Sequence, residues 1–416
     1  MADGYSLELV MGEAKSQAVF DVLIVGGGIV GATLAAALKP TGLQVAIVET
    51  QSLDVVTQRQ RAYAMSLLSQ QIFQGLGLWS EIQAASGRYR HIQLSDEDFS
   101  GVVQFCPEDL GTDYLGFSGQ HGAMLSALQG ALRSAANVQW FCPARVTGVS
   151  YGADVATVEV AITSDEVVQL QTRLVVGADG ARSPVRESAG IETKGWKYWQ
   201  SCLTFVVEHD APSNDVAFER FWGTGPMGVL PLPGNRCQIV WTNPHAEAQK
   251  LKALADADFL EFLQPYVKPL GKVRLVGDRQ IFPVQLMQSD QYVKNRLALI
   301  GDAAHCCHPV GGQGLNLGIR DAAALAQVLA TAHSQQKDIG QLPVLQRYER
   351  WRKFENLLIL SFTDFLNRFF SNRFLPVVAL RRLGLVMMSA IAPLRLFALK
   401  LMTGQKGKRP QIATLK

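Results

Sequence analysis

The sequence predicts an α/β fold: a Rossmann-type dinucleotide-binding domain, an antiparallel-sheet domain interleaved with it, and a helical C-terminus. Three observations carry this. A strand, glycine turn, helix and strand follow one another from residue 20; two more apolar strands, near residues 174 and 296, each run into an acidic turn; and the βαβ rhythm breaks between Trp196 and Phe282. The 416 residues are 48% hydrophobic and 18% charged, enough for two domains or one composite unit and unlike a disordered chain.

The first unit is FDVLIVGGGIVGATLAAALKPTGLQVAIVET, residues 20–50. Phe20 to Val25 is a short β-branched run, Ile29 to Leu38 suits a helix stopped by Pro40 and Gly42, and Gln44 to Glu49 begins a second buried strand. Gly26, Gly28 and Gly31 form GxGxxG at the strand–helix junction, where missing Cβ atoms let backbone amides approach a pyrophosphate. Glu49 ends the second strand, placed to accept hydrogen bonds from a ribose; it suits NAD or FAD and argues against a 2′-phosphate. A second match to the pattern, GTGPMG at 223–228, carries Pro226 and is followed by VLPL, so no helix starts there and it reads as a loop between strands.

LVVGADGARSPVRESAGI, 174–191, leads a strand into Asp179-Gly180, and RLALIGDAAHCCHPVGGQGLNLGIRDAAALAQVL, 296–329, leads another into Gly301-Asp302, a glycine-rich loop and a long helix. Each places an acid at the C-terminal edge of a strand, where α/β folds bind ligands, although an ordinary capping aspartate would look the same. The second segment also packs His305, Cys306, Cys307 and His308 into consecutive positions. Adjacent residues in an extended chain point to opposite sides and cannot readily converge on one tetrahedral ion, so no metal site is expected.

The six cysteines (106, 142, 202, 237, 306, 307) form no paired framework and suit a reducing compartment. MADGYSLELVMGEAKSQ lacks the basic and apolar regions of a signal peptide. LGLVMMSAIAPLRLFALKLM, 383–402, is the nearest approach to a membrane span, and Pro393, Arg395 and Lys400 interrupt it. The net charge of +3 hides an asymmetry, because residues 365–416 hold ten Lys or Arg and no Asp or Glu, leaving 29 basic and 36 acidic residues elsewhere. Interleaved leucines, phenylalanines and methionines make an anionic phospholipid surface the expected partner rather than nucleic acid.

Strand-like YWQSCLTFVVEH and RCQIVWT suggest an antiparallel sheet closing over a largely apolar pocket, with Phe221, Trp222, Met227, Leu230 and Pro231 as its candidate wall. Beyond it, Trp351, Phe354, Leu358, Phe362, Phe365 and Phe369 recur at helical spacing and are expected to pack on the first domain. Leu394, Phe397, Ala398 and Leu401 form a second stripe, flanked by Arg395 and Lys400, that suits a helix lying on a membrane.

In this order and at these separations, GxGxxG, DG and GD resemble the three-part signature of the class A flavoprotein monooxygenases, the group typified by para-hydroxybenzoate hydroxylase. Arg61-Ala-Tyr-Ala-Met, LGLW (76–79), CPARV (142–146), RFW…GP…LPL (220–232), HPVGGQGLNLGIRD (308–321) and YERWRKFEN (348–356) resemble the ubiquinone-biosynthesis hydroxylases more narrowly, and the likeness runs from residue 20 onward. The resemblance implies a discontinuous FAD-binding domain over 20–95, 120–190 and 283–345, a substrate domain over 96–119 and 191–282, an N-terminal tail over 1–19 and a helical, basic segment over 346–416. It implies that Gly26, Gly28 and Gly31 hold the FAD pyrophosphate, Glu49 the ribose, and Val146 the adenine through its backbone. Arg61 and Gln120 would lie near the pyrophosphate or ring, Asp302 on the ribityl chain or pyrophosphate, and Asp179 with Gly180 beside both FAD and incoming NAD(P)H. Pro309 would stiffen the flavin loop, Gly311, Gly312 and Gly314 would let backbone approach the ring, and Leu315 and Asn316 would open a helix whose amides favour reduced flavin. Asn316 would cap that helix or bond the ring.

The implied activity is hydroxylation of a prenylated phenol or quinone precursor, ubiquinone- or plastoquinone-type, by a flavin C4a-hydroperoxide formed with NAD(P)H and O₂. His308, another pocket residue or ordered water would activate the phenol. The rivals are a flavin-dependent isoprenoid reductase without oxygen insertion and a non-catalytic flavoprotein scaffold of a quinone-synthesis complex. The expected setting is cytoplasmic, peripherally on a membrane, alone, as a homo-oligomer or in such a complex.

Overall fold

A computed structural model describes residues 19–58, 61–97 and 99–414; the expected N-terminal tail lies outside these apart from Val19. An eight-stranded sheet forms the first layer system. Its parallel core runs Leu297–Leu299, Val167–Gly177, Val19–Val25, Val45–Val48 and Val138–Phe141 in spatial order. The first strand is central and buried, which explains its unbroken apolar, β-branched run. Ile29–Leu38 is a helix, and a short turn through Pro40 to Gly42, at φ 78°, ends it where the sequence predicts. A hairpin, Arg145–Tyr151 and Ala156–Ala161, extends the sheet against the early half of Val167–Gly177.

The second eight-stranded sheet is the expected insertion, with two differences. It is mixed, because Val216–Trp222 pairs in parallel with His91–Asp96. It also starts at His91 rather than 96 and continues through Val273–Ser289, beyond 282. The sequence offers no break at either place, since both segments are apolar enough to belong to either layer. Of GTGPMG only Gly223 and Thr224 form the loop expected there; Gly225 to Gly228 already belong to the strand Gly225–Leu232, with Trp222 opposite Gly225. A small sheet of Ala62–Met65, Gly116–Gln120 and Gly87–Tyr89 lies between the two systems in sequence.

The long helix Leu342–Phe370 corrects the expected stripe. Trp351 is buried, but Phe354, Leu358 and Phe365 are 72%, 46% and 53% exposed. The face turned inward carries Tyr348, Arg352, Asn356, Ile359, Leu360, Thr363, Asn367 and Phe370. Hydrophobic spacing alone misplaces it because the buried contacts are largely polar. Arg352 Nε lies 2.8 Å from Asp321 Oδ1, and Asn356 Nδ2 donates to the same oxygen at 3.0 Å.

Two helices, Leu375–Ala390 and Ala392–Met402, follow and meet at 97°, and a short turn, Gln411–Thr414, comes after them. Among the described residues no single helix is long and apolar enough to cross a membrane, although this bent pair reaches that composition. Part of the tail's positive charge serves the fold. Buried Arg381 grips buried Asp96 on the second sheet, with Nε 2.9 Å from Oδ2 and Nη2 2.8 Å from Oδ1, and Arg395 pairs with Asp109 at 3.2 Å.

Candidate functional site

The glycine turn is built by close approach. A Cβ on Gly31 would stand 2.0 Å from the Gly26 carbonyl oxygen, and one on Gly26, at φ 106°, would stand 2.4 Å from that of Ala178. Gly28 is the exception, since a Cβ there would meet nothing within 4 Å. It is the N-cap of Ile29–Leu38, and no side chain caps that helix. Open space before uncapped amides is the cradle a pyrophosphate needs. Glu49 closes one side: Oε2 accepts the Gly27 amide at 2.8 Å and Oε1 the Gln51 amide at 2.9 Å. Val146 follows the Pro143–Ala144 turn, where the Ala144 amide bonds the Glu49 carbonyl at 2.8 Å, so it stands at the same end.

Asp179 comes down on the opposite side of the turn, its amide 3.1 Å from where a Gly26 Cβ would be. Its Oδ2 accepts the Val185 amide at 3.2 Å, while Oδ1 is buried without a partner and burial raises the carboxyl's pKa. Gly180 follows at φ 84° with open space beside it. Asp302 is accessible to solvent although protein surrounds it, as on the wall of a deep cleft; burial raises its pKa and the fields of His305 and Arg61 oppose that.

Gly301, at φ 60°, donates its amide to Asp321 Oδ2 at 3.1 Å, and His305 Nε2 lies 2.6 Å from the same oxygen. One buried carboxylate therefore fixes the acidic turn, the following strand and the long helix together. Gly311 and Gly312 take φ 67° and 59°, a bend that side chains would strain. The helix Gln313–Ser334 starts at once, two residues before the expected Leu315, and again lacks a side-chain cap. Gly314 adds open space, with only Cys307 Sγ at 3.9 Å from a notional Cβ, and Leu315 is half-buried beside it. An orphaned carboxylate oxygen, two uncapped helix starts and two backbone approaches fit FAD laid from Glu49 to this loop.

Several expected residues do other work. Asn316 uses its whole amide on protein: Oδ1 accepts from Ser66 N at 2.8 Å and Ser69 Oγ at 2.7 Å, and Nδ2 donates to Ala64 and Gly312 carbonyls at 2.8 Å each. That exhausts its capacity, so it anchors the loop and leaves nothing for a ring. His308 is fully buried, its Nδ1 accepts the Val310 amide at 3.3 Å, and its ring stands edge-on to Tyr198 at 5.1 Å. Burial presses its pKa down to about 3 and holds the imidazole neutral, with Nδ1 accepting and a buried Nε2 that has no partner among the described residues. His305 and His308 thus serve different partners. Pro309 accepts the Gly312 amide at 2.9 Å and holds the bend.

Arg61 lies over the rings of Tyr63 and Phe282 at 5.1 and 4.7 Å, joining the small sheet to the substrate sheet, and its carbonyl accepts the His121 amide at 2.7 Å. Gln120, paired with Ala62, ends the neighbouring strand. The two faces of the second sheet divide the candidate wall. Phe221 and Leu230 pack with Val310 and the C-terminal helices, on the face turned to the flavin loop. Trp222 and Met227 point the other way, beneath Phe259 and Leu263, and alternation puts Pro231 on Met227's face. The sequence named consecutive residues, which a strand must send to opposite sides. It missed Glu219, on the cleft face with Ala217 and Phe221, whose Oε2 accepts the Gly311 amide at 3.2 Å. A lone acid between apolar residues was its only signal.

Comparison with known proteins agrees with this geometry. The family model described as FAD binding domain matches residues 19–353. An uncharacterized Synechocystis protein, slr1300, is 54% identical over 396 residues, covering 95% of each chain. Ubiquinone hydroxylase UbiL of Rhodospirillum rubrum is 37% identical over 91% of this chain and 88% of its own. The 3-demethoxyubiquinol 3-hydroxylase of Escherichia coli is 33% identical over 92% and 98%. The crystal structure of p-nitrophenol 4-monooxygenase PnpA from Pseudomonas putida superposes with TM-score 0.77 at 20% identity, over 93% of this chain and 99% of that one, a likeness of fold. The chain belongs to the FAD-binding domain family of class A flavoprotein monooxygenases and is an FAD-dependent monooxygenase of the hydroxylase type.

Proposed function

We propose that this enzyme hydroxylates the ring of a prenylated phenol or quinone precursor, ubiquinone- or plastoquinone-type, using NAD(P)H and O₂, while docked on an anionic membrane. The observation that carries the reading is the apolar face of the second sheet turned to the Gly311–Gly314 loop, where Phe221 and Leu230 pack with Val310 and where Phe282 lies with Cys202 and under Arg61. That face offers apolar side chains to an aromatic ring and its prenyl chain, and the relatives named for ubiquinone chemistry match 91–92% of this chain. Bound FAD supplies reducing equivalents and oxygen activation. The protein holds the pyrophosphate at Gly28, orients the ring edge by the Gln313–Ser334 helix start, and excludes water with the sheet.

Purified FAD-loaded protein is expected to oxidise NAD(P)H faster when a short-chain prenylphenol is added, with one ¹⁸O from ¹⁸O₂ in the product. Stimulated oxidation with no oxygen in any product would instead support the reductase reading.

The membrane part rests on the bent C-terminal pair. Phe374, Leu383, Met387 and Phe397 are exposed on it by 67%, 54%, 43% and 49%, within a segment that holds no acidic residue. Apolar side chains backed by cations fit a surface-lying anchor. Replacing Phe374, Leu383 and Met387 by serine is expected to leave bound FAD unchanged and weaken co-sedimentation with phosphatidylglycerol vesicles at least about tenfold, since each large side chain buried adds roughly 1.5–3 kcal/mol. Unchanged sedimentation would remove these helices as the anchor.

A further inference from the structure

We propose that Glu219 is the acid–base residue of the reaction, accepting the substrate's phenolic proton through its free Oε1 and returning it after oxygen transfer. The inference rests on the reading above that the substrate is a phenol.

Glu219 stands on Val216–Trp222, on the sheet face that meets the flavin loop. Its cross-strand neighbours are Leu94 and Gly228, neither of which offers it a charge, and Gly228 leaves the space over it open. A Cβ at Gly228 would lie 3.5 Å from Oε2. Arg220 does not neutralise it, since that guanidinium turns to the other face and donates to the Tyr266 carbonyl at 2.8 Å. Among the described residues Glu219 forms no ion pair, and its one hydrogen bond fixes Oε2 to the Gly311 amide. Oε1 is thus aimed by a bond that its partner oxygen makes to the Gly311 loop.

The groups around it form a small cluster. Fields from both Glu219 and Arg61 reach the Cys202 thiol on Thr193–His209, and Arg61 also reaches Asp302 at the flavin edge. The remaining ionisable neighbours are committed: His308 on the loop is held neutral, and Asp96 on the adjacent strand is paired with Arg381 and Arg382. Burying a carboxyl without a cation costs the fold more than its single hydrogen bond to the Gly311 amide returns. Burial pushes it up to about 7, against the milder pull of the Gly311 amide, which sets it where a base serves at neutral pH.

In the step, the phenol O–H bond breaks, the proton goes to Oε1, and the electron pair left on oxygen enriches the ring carbon that bonds the transferred oxygen. That carbon then releases its hydrogen as a proton to water and the ring rearomatises. Glu219 returns its proton to the phenolic oxygen. NAD(P)H supplies the two electrons that convert the second atom of O₂ to water.

The test uses FAD-loaded wild-type enzyme and Glu219→Gln, with 2-prenylphenol and a more acidic nitro-substituted prenylphenol as probes. Glutamine can still accept the Gly311 amide, and equal FAD content and melting temperature report that the variant is folded. Wild-type kcat/KM for 2-prenylphenol should fall as pH drops through about 7, where the carboxylate becomes protonated. Glu219→Gln should lose this acid limb and about 100-fold in kcat with KM little changed, and the acidic phenol should recover at least tenfold. A variant that keeps the limb and stays within threefold of wild-type kcat overturns the assignment while the hydroxylase reading stands. If the wild type hydroxylates the O-methyl ether of 2-prenylphenol, which has no phenolic proton, as fast as the phenol itself, the phenol reading falls and Glu219's role with it.

Discussion

Asp321→Ala is expected to destabilise the protein by about 3–5 kcal/mol, enough to leave little folded enzyme at 37 °C. Asp321 is wholly buried and takes four bonds: the Gly301 amide, His305 Nε2, Arg352 Nε and Asn356 Nδ2. Removing it leaves the Arg352 guanidinium, itself 2% exposed, with only Glu355 and Asn356 as partners, and frees the turn that presents Asp302. The neighbouring cations outweigh burial and hold its carboxyl down at about 2. A depressed folded value gives stability that is present above the unfolded value near 3.9 and fades as pH falls toward 2. Urea unfolding should therefore show wild-type stability dropping steeply below about pH 4, and Asp321→Asn giving a lower, flatter curve there. A variant within about 1 kcal/mol of wild type at pH 7 would mean that the network rearranges around the gap.

Gly31→Ala should reduce FAD affinity at least about 100-fold, corresponding to roughly 2.7 kcal/mol. Its methyl would fall 2.0 Å from the Gly26 carbonyl, and the Gly26 amide is already tied to Val48 at 2.8 Å. The turn cannot open without losing the strand. Gly28→Ala separates the two roles of these glycines, because its methyl enters space empty of protein. It should keep the apoprotein's melting temperature and still lose FAD, measured by quenching of flavin fluorescence on titration. If Gly28→Ala binds FAD normally, the pyrophosphate does not lie at that helix start.

These two sites were unequally legible. Gly26, Gly28 and Gly31 are readable because a close backbone approach admits one residue type at a fixed spacing. Asp321 is not, since its partners come from residues 301, 305, 352 and 356, and only folding assembles them. The same limit explains His308 and Asn316. Sequence supplies a titratable ring or an amide near the right place, while the Tyr198 ring that packs on the imidazole and the Ser66 and Ala64 backbone groups that bond the amide come from distant segments. Glu219 escaped notice for the opposite reason, because what singles it out is the lack of a charged partner across the strands. The exposed Phe354 and Phe365 show that helical spacing finds a stripe without saying which stripe is inside, and here polar side chains from the core decide.

The C-terminal helices end on the catalytic body itself. The Gln313 side chain donates to the Met402 carbonyl at 3.3 Å, Ile412 packs into the first domain's core, and Arg381 holds Asp96. The irregular link Ser371–Phe374, with Arg373 and Phe374 exposed, is therefore where a protease reaches backbone in a region held by tertiary contacts on both sides. A protease cutting there should yield two pieces that migrate as one particle on gel filtration, retain their yellow colour, and part only in denaturant. Shortening the chain at that link would be a different operation from nicking it, since the enzyme would lose Leu385 and Leu399, which pack beside Phe221 and Val310.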